Sequence, residues 1–289
     1  MAKCACYPRC MASASLLSAT FSMGAVFAWG GGDFLGGFAS RRASPTFLAA
    51  IVYGSGLIFM TALALLNHSA FPSHRAMFWA LAAGCFAGMS LANFYKALSL
   101  GSMGIAAPLT AVLAAAIPAL VGIATEGLPN TVQIAGFVLA ALGIWLVSRP
   151  EGGTETKGLG LAVMAGFGFA AFFLCIKQAG NGSALWIADL SRVTSLAVTA
   201  AVVMFSRTSF QLPRASFIAV VFAGLLDVSG SVFFVRATQT GRLDSAVILC
   251  SLYPVITVVL AKIFLKEQFT RWKVAGIIAA LAAVPLIAA

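Results

Sequence analysis

The chain has 289 residues, of which 61% are hydrophobic and only 9% are charged, whereas a soluble domain carries roughly 25% charged residues. Apolar runs recur from end to end, so the composition excludes a soluble protein and indicates a polytopic membrane protein. The formal net charge of +10 suits loops at an anionic membrane surface. The sequence offers no polar basic helix, and no nucleic-acid partner is expected.

Residues 1–15 form a short polar head, interpreted as an amino-terminal tail, with Met11 or Met23 as an alternative start. Its cysteines have no histidine nearby, so no metal site is expected there. The apolar run from Leu16 continues past Gly37 without a clear cleavage site. It is therefore predicted to be a spanning helix and not a signal peptide.

The hydropathy pattern predicts ten spanning helices, each of about 20 apolar residues. The most polar connection, RPEGGTETK, predicts a linker over 149–158 between a first repeat at 16–148 and a second at 159–289. The expected fold is an all-α integral membrane protein. Its predicted helices cover 16–38, 46–66, 77–98, 103–123, 131–148, 159–178, 184–205, 215–236, 244–264 and 272–288.

The two halves are similar at one fixed offset, the repeat shift, which sets residues 94–148 on 234–288 without a gap. Lys96 then meets Arg236. Five spans per half is an odd number, so the second copy enters the membrane upside down relative to the first. Two inverted five-helix repeats are typical of secondary transporters, whose substrate site lies near the midplane between the halves.

Three short patterns carry a resemblance to a known family. They are the pair Trp29-Gly30, the series Pro254, Glu267, Thr270 and Gly276, and the series Glu126, Gln133 and Gly136 in the first half. Together they resemble the drug/metabolite transporter superfamily, specifically its EamA-like branch of two five-helix repeats. In one departure from the pattern, Pro118 lies four residues later than the place matching Pro254. The resemblance implies cytoplasmic termini and a carrier of amino acids, drugs, sugars or other metabolites, moved mostly outward.

Two aspartates lie inside predicted helices, where an ionisable side chain costs roughly 2.5–3.5 kcal/mol to insert and so marks a cavity or pathway. Asp33 lies in WGGGDFLGG, whose glycines permit close helix approach; the alternative is a helix cap. Asp227 lies near the middle of the eighth span. It is a candidate proton carrier, a counter-ion for a cationic substrate, or a structural partner of Arg236 or Arg192.

Further polar candidates lie in the third and eighth spans. Asn93 and Lys96 share one face of the third helix, with Tyr95 adjacent. Lys96 and Arg236 are candidate anion contacts or gates, and the alternative is that both reach the membrane interface.

Two aromatic residues and a charged pair complete the set. Tyr253 and Trp29 can offer a ring and a polar group to a substrate, although Trp29 also suits the interfacial aromatic belt. Asp189 and Arg192 are three residues apart and are expected to pair with each other.

Prolines are predicted to interrupt two helices that occupy equivalent places in the repeats. Pro108 and Pro118 fall in the fourth helix and Pro254 in the ninth, and each removes a backbone donor. Paired interruptions of this kind indicate a transporter binding site, with passive kinks as the alternative. Glu126 and Glu267, before helices five and ten, are expected to cap helix starts.

Motifs of other protein classes are absent from the sequence. There is no GxxxxGK[ST] loop, no HExxH and no GxSxG. The sequence therefore offers no ATP-driven motor, fits a membrane enzyme poorly, and predicts no metal or cofactor.

The expected function is export of small metabolites, amino acids or drugs by alternating access, with a proton as the candidate coupling ion. The central cavity is expected between helices one, three, four, six, eight and nine. One alternative is an uncoupled facilitator. Another is a non-transporting membrane partner protein, with an apolar-filled centre and both aspartates in closed pairs. The oligomeric state is left open.

The expected location is the plasma (inner) membrane, crossed many times. Cytoplasmic termini, as the resemblance implies, would leave six basic residues inside and eleven outside, which opposes the positive-inside rule. One wrongly assigned helix would reconcile the two.

Overall fold

The computed structural model describes residues 7–40, 43–100, 103–147, 158–205, 214–265 and 270–288. The predicted linker, apart from Gly158, and Glu267 lie outside these residues. The described part of the chain is helical, without strands, and its elements are α1 (Tyr7–Ser40), α2 (Pro45–Leu66), α3 (His74–Ser99), α4 (Met103–Glu126), α5 (Thr131–Val147), α6 (Leu159–Ala179), α7 (Ala184–Phe205), α8 (Arg214–Thr240), α9 (Leu243–Cys250), α10 (Tyr253–Leu265) and α11 (Arg271–Ala288).

Eight helical stretches in the described residues are long and apolar enough to cross a membrane. The 34-residue α1 and the 17-residue α5 are not among them, and α5 is apolar but shorter than the other spans. Helix α1 also begins at Tyr7, so the predicted tail is helical from that residue onward. Large exposed apolar side chains such as Ile58 and Leu66 suit contact with lipid.

The predicted ninth span is two helices and not one. The break falls at Ser251 and Leu252, and Pro254 follows in the first turn of α10, where a helix does not need its N–H. Helix α4, in contrast, runs through both Pro108 and Pro118, contrary to the predicted interruption. Neighbouring groups in a membrane bundle can take up the carbonyl that a proline leaves free.

Helix packing follows the repeat. The repeat shift places α1 on α6, α2 on α7, α3 on α8 and α5 on α11. Correspondingly, α1 packs against α8 and α6 against α3, while α2 packs against α7 and α5 against α11. Under the repeat shift, the contact of α1 with α8 therefore maps onto that of α6 with α3, while the α2–α7 and α5–α11 contacts each map onto themselves.

Two glycines at equivalent places in the repeats hold these helices at backbone contact. A Cβ added to Gly84 in α3 would overlap the carbonyl of Ser191 in α7, and one added to Gly224 in α8 would overlap the carbonyl of Val52 in α2. Ser195 Oγ donates a hydrogen bond to the Gly84 carbonyl at 2.9 Å. Small residues of this kind let membrane helices approach closely.

Substituting either glycine should therefore loosen the bundle. We expect Gly84→Ala and Gly224→Ala each to lower stability by about 1–3 kcal/mol through overpacking against rigid backbone. Gly160→Ala is the matched control, because an added Cβ at this exposed helical glycine meets nothing within 4 Å. The measurement is the monodisperse fraction that survives heating in detergent. Equal survival of all three variants would contradict the role given to Gly84 and Gly224.

Candidate functional site

A cavity lies among the helices, close to the middle of several of them. The space open to the centre of a water molecule is about 60 Å³, enough for a few water molecules. Helices α2 and α7 contribute to its wall in addition to those predicted. The polar lining comes from Asp33, Tyr53, Arg192, Asp227, Ser231 and Tyr253.

An ion pair between α7 and α8 forms one wall of this cavity. Arg192 Nη2 lies 3.0 Å from Asp227 Oδ2, donates to the Asp227 carbonyl at 3.3 Å and donates to Ser231 Oγ. The guanidinium carbon lies 5.2 Å from the centre of the Tyr53 ring, within the range of a cation–π contact. The arginine side chain is only 2% exposed, so the pair and the ring replace its hydration.

The expected pairing of Asp189 with Arg192 is wrong. Asp189 Oδ1 instead accepts a hydrogen bond from Thr61 Oγ1 at 2.9 Å, and the ion partner of Arg192 within the described residues is Asp227. The physical reason is that a local pair would leave Asp227 as a charge in the bundle without a cation beside it, which is costly.

Asp33 reaches the cavity from the glycine-rich part of α1. A Cβ added to Gly32 would lie 3.6 Å from the backbone nitrogen of Asp227, and Trp29 Nε1 donates to the Asp227 carbonyl at 3.1 Å. Helix α1 therefore contacts α8 at the level of the ion pair. The Asp33 carboxylate forms no hydrogen bond or ion pair with the residues that the structure describes.

Aromatic rings make up much of the remaining wall. Trp29 lies 5.8 Å from Phe173 and 5.9 Å from Phe234, and the two phenylalanines lie 4.6 Å apart, all measured between ring centres. Phe234 is fully buried behind the other two. Tyr253, at the break between α9 and α10, also lines the cavity.

Four other predicted site residues lie away from the cavity lining. Asn93 is half-buried, and Tyr95 is buried with its hydroxyl against Gly36. Lys96 and Arg236 are exposed. The candidates that the structure brings together are thus Trp29, Asp33, Asp227 and Tyr253.

Sequence reasoning missed Tyr53 and Ser231. It expected Arg192 to pair with Asp189 and named it only as an alternative partner of Asp227, which is the pair that the structure shows. The signal for Arg192 was present, because an arginine nine residues into a 22-residue apolar helix lies too deep to reach the headgroups easily. Tyr53 and Ser231 carry no comparable signal, since both residue types are common in membrane helices.

A second polar group, the end cluster, ties one end of the bundle together. It comprises Glu126, Lys177, Arg242 and Asp244. Glu126 Oε1 lies 2.7 Å from Lys177 Nζ, and Arg242 Nη2 lies 2.7 Å from Asp244 Oδ2. Hydrogen bonding to Asp244 raises the pKa of Arg242 above its ordinary value, so this arginine stays cationic.

Glu126 caps a helix, but not the one predicted. Its Oε2 accepts a hydrogen bond at 2.9 Å from the backbone nitrogen of Leu243, the first residue of α9. Helix α5 has its own cap, because Asn130 and Gln133 exchange reciprocal side-chain-to-backbone hydrogen bonds of 2.7 and 3.2 Å. Glu126 thereby connects α4, α6 and α9.

Comparison with known proteins places the chain in a family. Solute carrier family 35 member G1 of Mus musculus is 29% identical over 152 residues, which is 50% of this chain and 41% of that protein. The match therefore spans less than half of that relative. A solved crystal structure has the same fold, with a TM-score of 0.75 over 93% of this chain and 95% of that chain at 14% identity.

The model of the EamA-like transporter family matches two stretches, residues 16–149 and 156–289. These are the two halves related by the repeat shift, and together they cover nearly the whole chain. The chain therefore belongs to the EamA-like transporter family of the drug/metabolite transporter superfamily.

Proposed function

We propose that this membrane transporter exports small metabolites, amino acids or drugs by alternating access of two inverted five-helix repeats. It crosses the plasma (inner) membrane ten times, with both termini in the cytoplasm. The single observation that carries the proposal is the polar cavity among the middle parts of the helices, where Asp33 lies beside the Arg192–Asp227 pair. Charged groups at such a depth line pathways.

The ten-span arrangement is supported by helix lengths and by packing. Helix α1, with 34 residues, is about 50 Å long, well over the core thickness of about 30 Å. Helix α5, with 17 residues, lies at the lower end of the roughly 17–25 residues that span the core. The exchange of helix contacts between the halves supports the inverted relation. With ten spans, the end cluster and the amino terminus share one side of the membrane.

Alternating access is supported by the contacts that hold one end of the bundle together and by the small volume of the cavity. The end cluster connects α4, α6 and α9, and Ser18 of α1 donates to the Ala237 carbonyl of α8 at 2.9 Å. A cavity that holds a few waters is smaller than most ligand sites, which measure roughly 300–1,000 Å³. Substrate entry thus needs the halves to move apart.

Two alternative functions differ from the proposed one in the pairing of the aspartates or in the dependence of transport on protons. A non-transporting partner protein predicts both aspartates in closed pairs, and Asp33, which forms no pair with the described residues, counts against it. An uncoupled facilitator predicts transport that is insensitive to a proton gradient. We propose Asp33 as the proton-coupling group, because Asp227 is already committed to Arg192.

Export and its coupling can be tested on the culture medium of cells that express the protein. We expect the wild type to release at least one compound absent from empty-vector cells, and Asp33→Asn and Asp227→Asn to release it at least tenfold more slowly at matched membrane abundance. Arg236→Gln is the control, since it removes an exposed charge away from the cavity. Its release should be unchanged.

The outcomes of this assay separate the functions. Release that is abolished by collapsing the proton gradient in the wild type supports coupling, and unchanged release supports the facilitator. No compound above empty vector would contradict export. Release by Asp33→Asn equal to the wild type would remove Asp33 from the transport cycle.

The ion pair should also be a determinant of stability. Asp227→Asn leaves the buried Arg192 charge uncompensated, which should lower stability by about 3–5 kcal/mol. Asp189→Asn is the control, because it weakens one hydrogen bond worth about 1 kcal/mol. Thermal inactivation in detergent measures both. The double variant Arg192→Asp with Asp227→Arg exchanges the two charges and should recover part of the lost stability. No recovery would argue against a direct pair.

The end cluster should control access to the cavity from its own side. Glu126→Gln keeps an acceptor for Leu243 but loses the charge pair with Lys177, worth up to about 1 kcal/mol, or roughly a fivefold population shift. We expect labelling of Ala114→Cys, in an otherwise cysteine-free chain, to rise about fivefold from that side. Vesicles of both orientations and an impermeant maleimide give the measurement.

The neighbouring Thr125→Ala is the matched control for Glu126→Gln. Within the described residues, the hydroxyl of Thr125 bonds only to carbonyls of its own helix, at 2.8 and 3.4 Å. Labelling in the Thr125→Ala variant should therefore stay at the wild-type rate. A rise in both variants would indicate general loosening and not a gate.

A further inference from the structure

Within the described residues, the Asp33 carboxylate and one N–H of the Arg192 guanidinium, at Nε, lack hydrogen-bond partners. The Asp33 carboxylate forms no hydrogen bond or ion pair with the residues that the structure describes. Within the same residues, Arg192 Nε is buried and donates to no acceptor, and Asp227 Oδ2, although it is ion-paired with Arg192 Nη2 at 3.0 Å, accepts no hydrogen bond. A buried donor without an acceptor is unfavourable, and in a transporter the missing acceptor can be supplied by the substrate.

The charges that line the cavity do not cancel. With all three side chains ionised, Asp33 and Asp227 contribute two negative charges and Arg192 one positive charge, so one negative charge remains. Asp227 Oδ2 is 3.0 Å from Arg192 Nη2, and the uncompensated charge is therefore that of Asp33. A substrate that neutralises the cavity carries a cationic group.

A cation alone satisfies only one of the two unpaired groups. It would pair with Asp33 and leave Arg192 Nε without an acceptor. An anion alone would satisfy Arg192 but would add a third negative charge to a site that already holds two carboxylates, which is repulsive at low dielectric. A molecule that bears both charges satisfies both groups.

The rest of the wall selects the body of such a molecule. Trp29, Phe172 and Phe173 line the same cavity, and their rings offer apolar surface with few hydrogen-bonding groups. A sugar or another polyhydroxylated body would lose its hydrogen bonds to water against these rings.

We propose that the transported molecule is a zwitterion with an apolar body, whose ammonium group binds Asp33 and whose carboxylate accepts from Arg192 Nε. This inference rests on the proposed transport function and names its substrate class. Arg192 then determines specificity for the carboxylate. Asp227 is a positioning residue, because it holds the guanidinium through Nη2 and leaves Nε to the substrate.

Two sets of matched probes test the proposal on the purified full-length chain. The first is leucine, 3-methylbutylamine and 4-methylpentanoate; the second is phenylalanine, 2-phenylethylamine and 3-phenylpropanoate. Within each set the body is shared, and the amine and the acid each lack one charged group. Titration calorimetry should give the zwitterion of at least one set a Kd about tenfold or more below those of its amine and its acid.

Variants assign the two contacts. Arg192→Lys keeps a cation beside Asp227, but a lysine has no counterpart of the Nε–H that would bind the carboxylate. In this variant the Kd of the zwitterion should be less than about threefold below that of the amine. Asp33→Asn should remove the advantage over the acid in the same way. Arg236→Gln, away from the cavity, should leave all six Kd values unchanged.

The results distinguish a wrong substrate class from a wrong function. If an amine binds as tightly as its zwitterion, or an acid does, the zwitterion proposal fails while transport stands. If none of the six probes binds but the wild type still releases a compound in the export assay, the substrate class is likewise wrong. Absence of both binding and release would count against transport itself.

Discussion

The Arg192–Asp227 pair is the interaction on which the centre of the molecule depends. A guanidinium that is 2% exposed in a membrane bundle persists only with a counter-charge and hydrogen-bond acceptors close by. Asp227 supplies both, through its carboxylate and its carbonyl. The pair joins α7 to α8, and because Trp29 donates to the same carbonyl, it also fixes where α1 lies. The position of Asp33 on α1 follows from that contact.

The two helices that carry the pair, α7 and α8, are held in turn by close contacts with α3 and α2, and glycine makes those contacts possible. At Gly84 the backbone of α3 lies directly against a carbonyl of α7, and at Gly224 the backbone of α8 lies directly against a carbonyl of α2. Lipid gives no hydrophobic drive for helix association, so this contact area and the hydroxyl bonds across it hold the bundle. The small residues of the sequence therefore contribute to helix packing as much as its large apolar residues do. The large apolar residues mostly face lipid or fill the central aromatic wall.

Much of the fold could be predicted from the sequence, because spanning helices are set by hydropathy and length alone. Helix bounds such as 184–205 agree with α7, and the break before Pro254 follows from a missing backbone donor. The site was less predictable. Asp33 and Asp227 are conspicuous as carboxylates in apolar segments, but Arg192 has an acidic neighbour three residues away, and local spacing does not reveal which helix a side chain faces. Glu126 was likewise assigned to the nearest helix start, although α9 lies closer in space.

The two halves share a scaffold but not its chemistry. Ala87 and Asp227 occupy equivalent places in the repeats, and each carbonyl accepts from the neighbouring helix: Tyr53 donates to Ala87 at 2.7 Å and Arg192 to Asp227 at 3.3 Å. The first half thus closes this contact with a neutral hydroxyl, and the second half with an ion pair. Because the pseudo-symmetric frame brings both contacts to one cavity, the charge is concentrated on one side of it. In the proposed alternating-access cycle, such an asymmetric site would hold a ligand in one orientation while the two halves move around it.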